Sequence, residues 1–261
     1  MPTSKDPLTH RFGDVSATVT GNNVVEIEMH RPPANFFDAT LLGAVIEAIA
    51  WADGCRCRAV VLCSEGRHFC AGFDFSASGS PDPGALRTLY DRAEELVSGP
   101  LPVVAAVQGG AVGGGLGLAL AADFRVGAPT SHFTANFARL GLHQGFGLSA
   151  TLARTIGDHK ALELLCTGRR IGGAEALDIG LVDRLADDPR LGARALAEEI
   201  AASAPLAVAS IRKTMRAGLA DAFGAAIEHE RIEQLALMGT DDFREGIEAS
   251  LQRRDPDFSG R

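Results

Sequence analysis

The 261-residue sequence lacks several features that would place it in a specialised class of protein. Its five cysteines stand at positions 55, 57, 63, 70 and 166, without paired CxxC spacing. An odd number of cysteines without that spacing argues against a disulfide framework and against a structural zinc site. We therefore expect buried thiols and no bound metal.

Long apolar runs and an excess of positive charge are also missing. No stretch approaches the roughly 18 apolar residues of a membrane span, and the N-terminal segment has no apolar core of a signal peptide. The net charge of −8 argues against a nucleic-acid or anionic-membrane partner. With 46% hydrophobic and 22% charged residues, the composition is that of a globular protein, which we expect to be cytoplasmic.

Strands and helices alternate through about residue 185. Alternating apolar residues predict a hairpin of strands at 17–20 and 24–29, and apolar runs predict strands at 59–63, from 103 and at 123–126. Asp38 is expected to cap a helix that ends near Asp53, and a second helix is predicted over 85–97 after a polar loop at 76–84. This order indicates an α/β core with right-handed crossovers.

Beyond Pro205 the pattern becomes purely helical. Helices are predicted at about 190–203, 206–217, 221–237 and 241–252. Helices outside a finished core need a surface to pack on, which favours an oligomer interface. The alternative is a helical cap within the same chain.

The segment from Val103 to Gly117 is the most informative. An apolar strand enters six glycines within nine residues and is predicted to emerge as a helix at 116–122. Bare backbone N–H groups at a helix N-terminus favour a phosphate or an oxyanion. A P-loop needs a lysine where Leu116 stands, and a dinucleotide fingerprint beginning at Gly113 needs a glycine where Leu118 stands. Both departures favour the oxyanion.

A second turn supports that interpretation. Residues 69–74, with the sequence FCAGFD, predict a short extended piece that enters a tight turn. The amide of Phe73 is therefore hypothesised to face the amide of Gly114 across a cleft. Each donor of an oxyanion hole is worth roughly 2.7 to 4 kcal/mol to a developing negative charge.

The chain resembles the crotonase superfamily, also called the enoyl-CoA hydratase/isomerase family, over nearly its whole length. The most specific motifs are CAGFD at 70–74, PVVAAVQGGAVGGGLGLALAADFRV at 102–126 and SHFTANFARLGLHQGFG at 131–147, with further similar blocks at 160–185 and 245–258. The resemblance implies a spiral of ββα units over residues 1–204 that holds an acyl-CoA site. It also implies a helical trimerisation region over residues 205–261, and hence a homotrimer or a dimer of trimers.

The implied ligand is an acyl-CoA thioester whose carbonyl accepts from the amides of Phe73 and Gly114. Coenzyme A enters as part of the substrate, so no separate cofactor is implied. The resemblance places Arg253 near the CoA phosphates, although Ser250 replaces a nearby family phenylalanine. The implied substrate-binding positions are Ala34, Asn35, Phe36, Ala71, Gly72, Asp74, Gly113, Phe137 and Arg253.

The chain departs from the family at its acid and base. Hydratases of the family use two glutamates, whose positions are occupied here by Gly117 and Phe137. Each positioned acid or base is typically worth about 10² to 10⁴ in rate, so efficient hydration does not follow from the resemblance. His143 is one candidate replacement because histidine titrates near neutrality, and a catalytic aspartate of some relatives aligns with Gly145.

Other polar residues are weaker candidates for the same role. Tyr90 shares the apolar face of the helix that covers the acyl pocket in relatives, whereas the acidic residues of that helix favour its solvated side. Asp74 is expected to fix its turn, and His68 and His132 are expected to be structural. The acidic residues in question are Asp91, Glu94 and Glu95.

Three functions remain open at this point. The first is an acyl-CoA enzyme that works through a thioester enolate, and the second is an acyl-CoA binding protein without catalysis. The third is a decarboxylase, because FTANF…GFG also looks like decarboxylase-type relatives in polyketide β-branching. Their lysine has no clear counterpart here, and Gln234 stands about where their histidine would be.

Overall fold

Apolar runs with β-branched residues form two sheets in the computed structural model, which describes residues 8–75 and 82–261. The predicted loop at 76–84 lies largely outside the described residues. The strands are Thr9–Phe12 (β1), Val15–Gly21 (β2), Val24–Met29 (β3), Ala59–Ser64 (β4), Val103–Val107 (β5), Gly110–Val112 (β6), Phe124–Gly127 (β7), His132–Thr134 (β8), Arg170–Gly172 (β9) and Arg184–Leu185 (β10).

The larger sheet has the strand order β1-β2-β3-β4-β5-β7-β10. Its first two pairings are antiparallel and the other four are parallel. The smaller sheet has the order β6-β8-β9, with β6 parallel and β9 antiparallel to β8. The predicted hairpin, the strand near 59–63 and the parallel α/β core are confirmed.

The helices that the sequence predicted begin and end close to the predicted positions, and three further helices lie between residues 148 and 178. Asp38 caps the first helix by accepting from the amide of Leu41. The helices are Ala39–Gly54 (α1), Pro83–Val97 (α2), Gly114–Ala121 (α3), Leu148–Ile156 (α4), Asp158–Thr167 (α5), Gly173–Asp178 (α6), Pro189–Ala201 (α7), Pro205–Met215 (α8), Leu219–Leu237 (α9) and Asp241–Gln252 (α10). Within the described residues, no helix is long and apolar enough to cross a membrane.

The central strands bury both faces, because helices cover the larger sheet on each side. In β4, Val60 and Leu62 belong to the main core, which includes side chains of α1 to α3. Val61 belongs to a second core on the opposite face, where α7 contributes Ala193 and Leu196. This two-sided burial explains the continuous apolar run of β4, which is typical of parallel strands.

The glycine-rich segment is more elaborate than one turn from a strand into a helix. Strand β5 of the larger sheet ends at Val107. The chain turns at Gly109, which has φ +58°, and the next three residues form β6 in the smaller sheet. Helix α3 begins at Gly114 and not at Leu116, and it ends at Ala121 and not at Ala122. The predicted strand at 123–126 is Phe124–Gly127.

The C-terminal helices divide into two kinds. Phe223 and Ile227 of α9 and Phe243 of α10 are buried in the main core, so these helices form a cap within the chain. Helix α8 buries no residue, and Leu206, Ile211 and Met215 are 86%, 63% and 66% exposed. The division of the chain at residue 204 stays a prediction, since α9 and α10 share the core of the preceding residues.

An edge strand that was not predicted packs on α1. His10 of β1 stacks on Trp51 with ring centroids 5.8 Å apart, and Phe12 meets the same indole edge-on at 6.3 Å. Trp51 is the only tryptophan in the sequence. The three rings attach β1 to the outer end of the sheet.

Candidate functional site

The turn at residues 70–73 is fixed by the strands on which it lies. The amide of Cys70 donates to the Gly110 carbonyl at 3.1 Å, and the amide of Val112 donates to the Cys70 carbonyl at 3.0 Å. The Gly72 amide donates to the Sγ of Cys70 at 3.4 Å. Burial raises the pKa of the Cys70 thiol to about 12, so this sulfur stays protonated and serves structure.

This turn contacts the start of α3 backbone to backbone. A Cβ placed on Gly72, where φ is +86°, would lie 3.0 Å from the Val112 carbonyl oxygen and 3.1 Å from the Gly114 nitrogen. A Cβ placed on Gly115 would lie 2.1 Å from the Cys70 carbonyl oxygen. Glycine is therefore required on both sides of the contact, and the amides of Phe73 and Gly114 are brought close together.

Both amides are available to a ligand. Gly114 is the first residue of α3, where no carbonyl of the preceding turn is in position to accept. Among the described residues, no acceptor takes the amide proton of Phe73 or of Gly114. The dipole of α3 adds partial positive charge at the same point.

The loop at residues 34–37 supports this turn from the other side. The Ala71 amide donates to the Ala34 carbonyl at 2.9 Å, and the Phe37 amide donates to the Gly72 carbonyl at 2.9 Å. Asn35 is fully buried, and its Nδ2 donates to the carbonyls of Glu65 and His68 at 2.8 and 2.7 Å. Its side chain therefore holds the loop in place.

A cavity of about 300 Å³ opens beside the two amides. Its wall includes Phe36, Ala71, Phe73, Asp74, Gly113, Gly114 and Phe137, all of which sequence reasoning had named as site residues. Of the other residues that it had named, Ala34, Asn35, Gly72, His143 and Arg253 lie outside this wall. The wall also holds residues that were not named, among them Phe37, Phe75, Asn136 and Phe146.

The wall is mainly aromatic and aliphatic. In the described part of the chain, no lysine, arginine or histidine lines it, and its titratable side chains are Asp74 and Tyr90. Phe37 and Phe146 pack with ring centroids 5.0 Å apart. An apolar wall next to these two amides lowers the local polarity and strengthens their interaction with a developing negative charge.

Phe146 occupies the space beside Gly117. A Cβ placed on Gly117 would lie 2.7 Å from the Cβ of Phe146 and 2.9 Å from its Cδ1. A glutamate at position 117 therefore has no room in this arrangement. Phe137, the other position at which the resemblance implies a glutamate, lines the cavity.

Tyr90 and Gln234 occupy the space beside Gly145. The Tyr90 hydroxyl donates to Oε1 of Gln234 at 2.7 Å, and Nε2 of Gln234 donates to the His143 carbonyl at 2.9 Å. A Cβ placed on Gly145 would lie 2.2 Å from the Tyr90 hydroxyl oxygen, so an aspartate there requires Tyr90 and Gln234 to move. Burial raises the pKa of Tyr90, which keeps the phenol protonated.

His143 and the other histidines lie apart from this cavity. Nδ1 of His143 is 2.9 Å from the Gln144 carbonyl, and its ring meets that of His229 edge-on at 5.7 Å. A catalytic role for His143 stays a prediction. His68 and His132 pack against each other, and the amide of Gly110 donates to Nδ1 of His68 at 3.1 Å.

A buried carboxylate behind the cavity fixes the loop that carries Phe146. Glu230 of α9 accepts from the amides of Gly147 and Ser149 at 2.7 and 2.8 Å, at the N-terminus of α4. Burial raises the pKa of Glu230 to about 7, against the hydrogen bonds that lower it. Phe146 itself has φ +60°, an uncommon conformation for a bulky residue.

The chain is similar to known proteins over most of its length. A family model described as enoyl-CoA hydratase/isomerase matches residues 19–261. A probable enoyl-CoA hydratase of Bacillus subtilis (strain 168) is 32% identical over 249 residues, which cover 91% of this chain and 95% of that protein. A probable enoyl-CoA hydratase of Rhodobacter capsulatus is 35% identical over 242 residues, which cover 90% and 94%.

A solved structure has the same fold. The crystal structure of an enoyl-CoA hydratase from Mycobacterium avium superimposes with a TM-score of 0.84 at 26% sequence identity. The match covers 95% of this chain and 99% of that one. The spiral of ββα units and the helical C-terminal region are therefore confirmed.

Proposed function

Because the chain belongs to the enoyl-CoA hydratase/isomerase family, we propose that it binds an acyl-CoA thioester and stabilises the thioester enolate through the amides of Phe73 and Gly114. One observation carries this proposal: two backbone donors that have no acceptor among the described residues lie close together where Gly72 contacts Gly114. No resident cofactor or metal is required. Coenzyme A arrives as part of the substrate.

The two amides act on the charge that develops when a proton or a carbon substituent leaves the carbon next to the thioester. The carbonyl oxygen accepts from both N–H groups, and its negative charge grows as the enolate forms. Each donor contributes roughly 2.7 to 4 kcal/mol to that state. The phenylalanines of the wall exclude water, so the donors act in a medium of low polarity.

The fate of the enolate differs from classical hydration in this proposal. Gly117 and Phe137 supply neither of the two carboxylates, and Phe146 leaves no room for one at position 117. We therefore expect slow hydration of an unsubstituted enoyl thioester. The same observation favours a second candidate function, acyl-CoA binding without turnover.

An oxyanion assay distinguishes catalytic polarisation from binding alone. Acetoacetyl-CoA forms an enolate that absorbs in the near ultraviolet, and two donors at its thioester oxygen lower the pKa of its central methylene. We expect this pKa to fall by at least about one unit on binding, which is about 1.4 kcal/mol. Binding without a shift contradicts the enolate proposal, and no binding contradicts the acyl-CoA proposal.

A proline at position 114 tests the second donor. Proline is tolerated at the first position of a helix and has no N–H. A Cβ there would lie 2.5 Å from Cζ of Phe37, so the comparison uses a Phe37→Leu background. We expect Gly114→Pro to abolish most of the methylene shift and Gly114→Ala, which keeps the donor, to retain it.

Turnover is tested on crotonyl-CoA and a short panel of enoyl and malonyl-type thioesters. Loss of the enoyl absorbance reports hydration, and released carbon dioxide reports decarboxylation. If hydration occurs, His143→Ala is expected to reduce it strongly, and an unchanged rate removes His143 from the mechanism. Tight binding with no reaction on any thioester supports the binding function.

We also propose that the protein assembles as a homotrimer or a dimer of trimers. Helix α8 supports this, because Leu206, Ile211 and Met215 expose an apolar surface on a helix that buries nothing in one chain. Exposed apolar surface of this kind is typical of an interface.

A further inference from the structure

A carboxamide without a hydrogen-bond partner among the described residues lies beside the proposed oxyanion hole. Asn136 begins a short 3₁₀ helix, Asn136–Leu140, and lines the cavity. Its Oδ1 is 3.1 Å from a Cβ placed on Gly113, the residue before the Gly114 donor. Covalent geometry puts that Cβ position within about 4 Å of the Gly114 nitrogen, so Oδ1 lies within about 7 Å of the nitrogen.

The backbone around Asn136 is firmly placed. The amide of Gly113 donates to the carbonyl of Thr134 at 2.8 Å, which ties β8 to the glycine turn. On the other side, a Cβ placed on Gly168 would lie 3.4 Å from the Cα of Asn136. The carboxamide is therefore carried by a fixed backbone between the two segments.

Among the described residues, the cavity wall also holds the polar side chains of Asp74, Tyr90, Gln234 and Ser250. Tyr90 and Gln234 satisfy each other, and Gln234 also reaches the His143 carbonyl. In the described residues, no hydrogen-bond partner exists for the Asn136 carboxamide. Phe137, its neighbour along the chain, places its Cζ 3.8 Å from the Gly113 Cβ position and offers no polar atom.

We propose that the Asn136 carboxamide binds an oxygen on carbon 3 of the acyl group, so that the preferred ligands are 3-hydroxyacyl or 3-oxoacyl thioesters. This inference rests on the proposed acyl-CoA site. An oxygen on carbon 3 lies about 3 to 5 Å from the thioester oxygen, within reach of a side chain at this distance from Gly114. A carboxamide donates and accepts, so it pairs with a hydroxyl or a ketone.

The role assigned to Asn136 is recognition and not proton transfer. A carboxamide does not act as a base near neutral pH, so it holds the oxygen of carbon 3 without activating a water. Asn136 is therefore a specificity-determining residue, and its effect appears in the difference between two ligands that differ only at carbon 3.

The test compares dissociation constants of butyryl-CoA and of both enantiomers of 3-hydroxybutyryl-CoA, measured by calorimetry. One hydrogen bond is expected to give about a three- to tenfold preference for one hydroxylated enantiomer in the unaltered protein. Asn136→Leu, which is similar in size but cannot form the bond, is expected to abolish this preference. It should leave butyryl-CoA binding within about twofold.

Ala138→Ser, an exposed change on the same 3₁₀ helix, is the control and should keep the preference. The inference is overturned if the unaltered protein shows no preference. It is also overturned if Asn136→Leu weakens the binding of both ligands equally while the melting temperature of the variant is unchanged. A protein that binds neither ligand contradicts the proposed acyl-CoA site itself. Binding of butyryl-CoA without a preference contradicts only the role of Asn136.

Discussion

Gly117 and Phe146 compete for one small volume behind the cavity wall. A methyl group on Gly117 would clash with the Cβ of Phe146. Because that Cβ is bonded to the backbone, rotation of the Phe146 ring cannot relieve the clash. This pair explains in steric terms why the chain lacks a carboxylate at position 117.

We predict that Gly117→Ala lowers the free energy of unfolding by about 1 to 3 kcal/mol, the usual cost of overpacking a buried site. Urea denaturation measures the loss. Gly43→Ala is the matched control, because the nearest atom to its new Cβ is 4.0 Å away and α1 gains helix propensity. It should stabilise the protein by about 0.5 to 1 kcal/mol, and equal effects at both sites would contradict the steric argument.

Single residues were partly predictable from the sequence. The close approach of two backbones demands glycine, so the glycines at position 72 and in the run before α3 predicted tight turns. Asn136 was not visible, because an asparagine has no distinguishing neighbours until the fold brings it against Gly113. Asn35 was assigned to the ligand, whereas the structure gives its side chain two backbone carbonyls as partners.

At the scale of elements, α9 holds the start of α4 through one carboxylate. Glu230 accepts from two amides there, and its pKa is raised to about 7 by burial. Between its unfolded value near 4.5 and about 7, the folded protein binds more protons at this site than the unfolded chain does. The contribution of Glu230 to stability is therefore complete below pH 4.5 and is lost as the pH rises through 7.

Between pH 5 and 7.5, the free energy of unfolding of the unaltered protein includes a decrease of about 1 to 3 kcal/mol that is due to Glu230. We predict that Glu230→Gln removes this decrease, and urea denaturation of both proteins across the pH range measures the difference. The comparison with the unaltered protein is needed because the pKa of His132 is lowered to about 4. The contribution of His132 to stability therefore rises with pH between 4 and 6.5, opposite to that of Glu230. Glu228→Gln on the exposed side of α9 is the control. Parallel pH profiles for Glu230→Gln and the unaltered protein would contradict the prediction.

Long elements were predicted well and short ones were not. Helices such as α1 and α9 carry several turns of periodic apolar residues, so their existence and position follow from the sequence. Strands β6, β8 and β9 have three residues each, too few to show a period. Their pairing depends on Gly109, whose positive φ redirects the chain into the smaller sheet.

At the scale of the whole molecule, the exposed apolar side chains of α8 form the interface that we propose. We predict that Ile211→Glu reduces the molar mass of the particle, measured by light scattering after size exclusion, because a charge enters the proposed interface at a site 63% exposed in one chain. Leu162→Glu on α5 is the control, since Leu162 is 60% exposed. A monomeric unaltered protein, or equal effects of both changes, would contradict the proposed interface.

The fold class follows from the order of strands and helices, and the family motifs predicted several residues that line the cavity. The separation between α8 and the two helices after it could not be read from the sequence, because all three carry similar apolar residues. Only packing distinguishes Phe223, which reaches the main core, from Ile211, which does not.

The cluster of β1 on Trp51 makes the molecule's fluorescence selective. With a single tryptophan in the chain, excitation at long wavelength reports one place only, the seam between β1 and α1. The cavity, whose wall contains Tyr90 but not Trp51, gives no direct signal in that channel. A change in indole emission that precedes global unfolding would therefore report the edge strand leaving the sheet, and not a ligand entering the cavity.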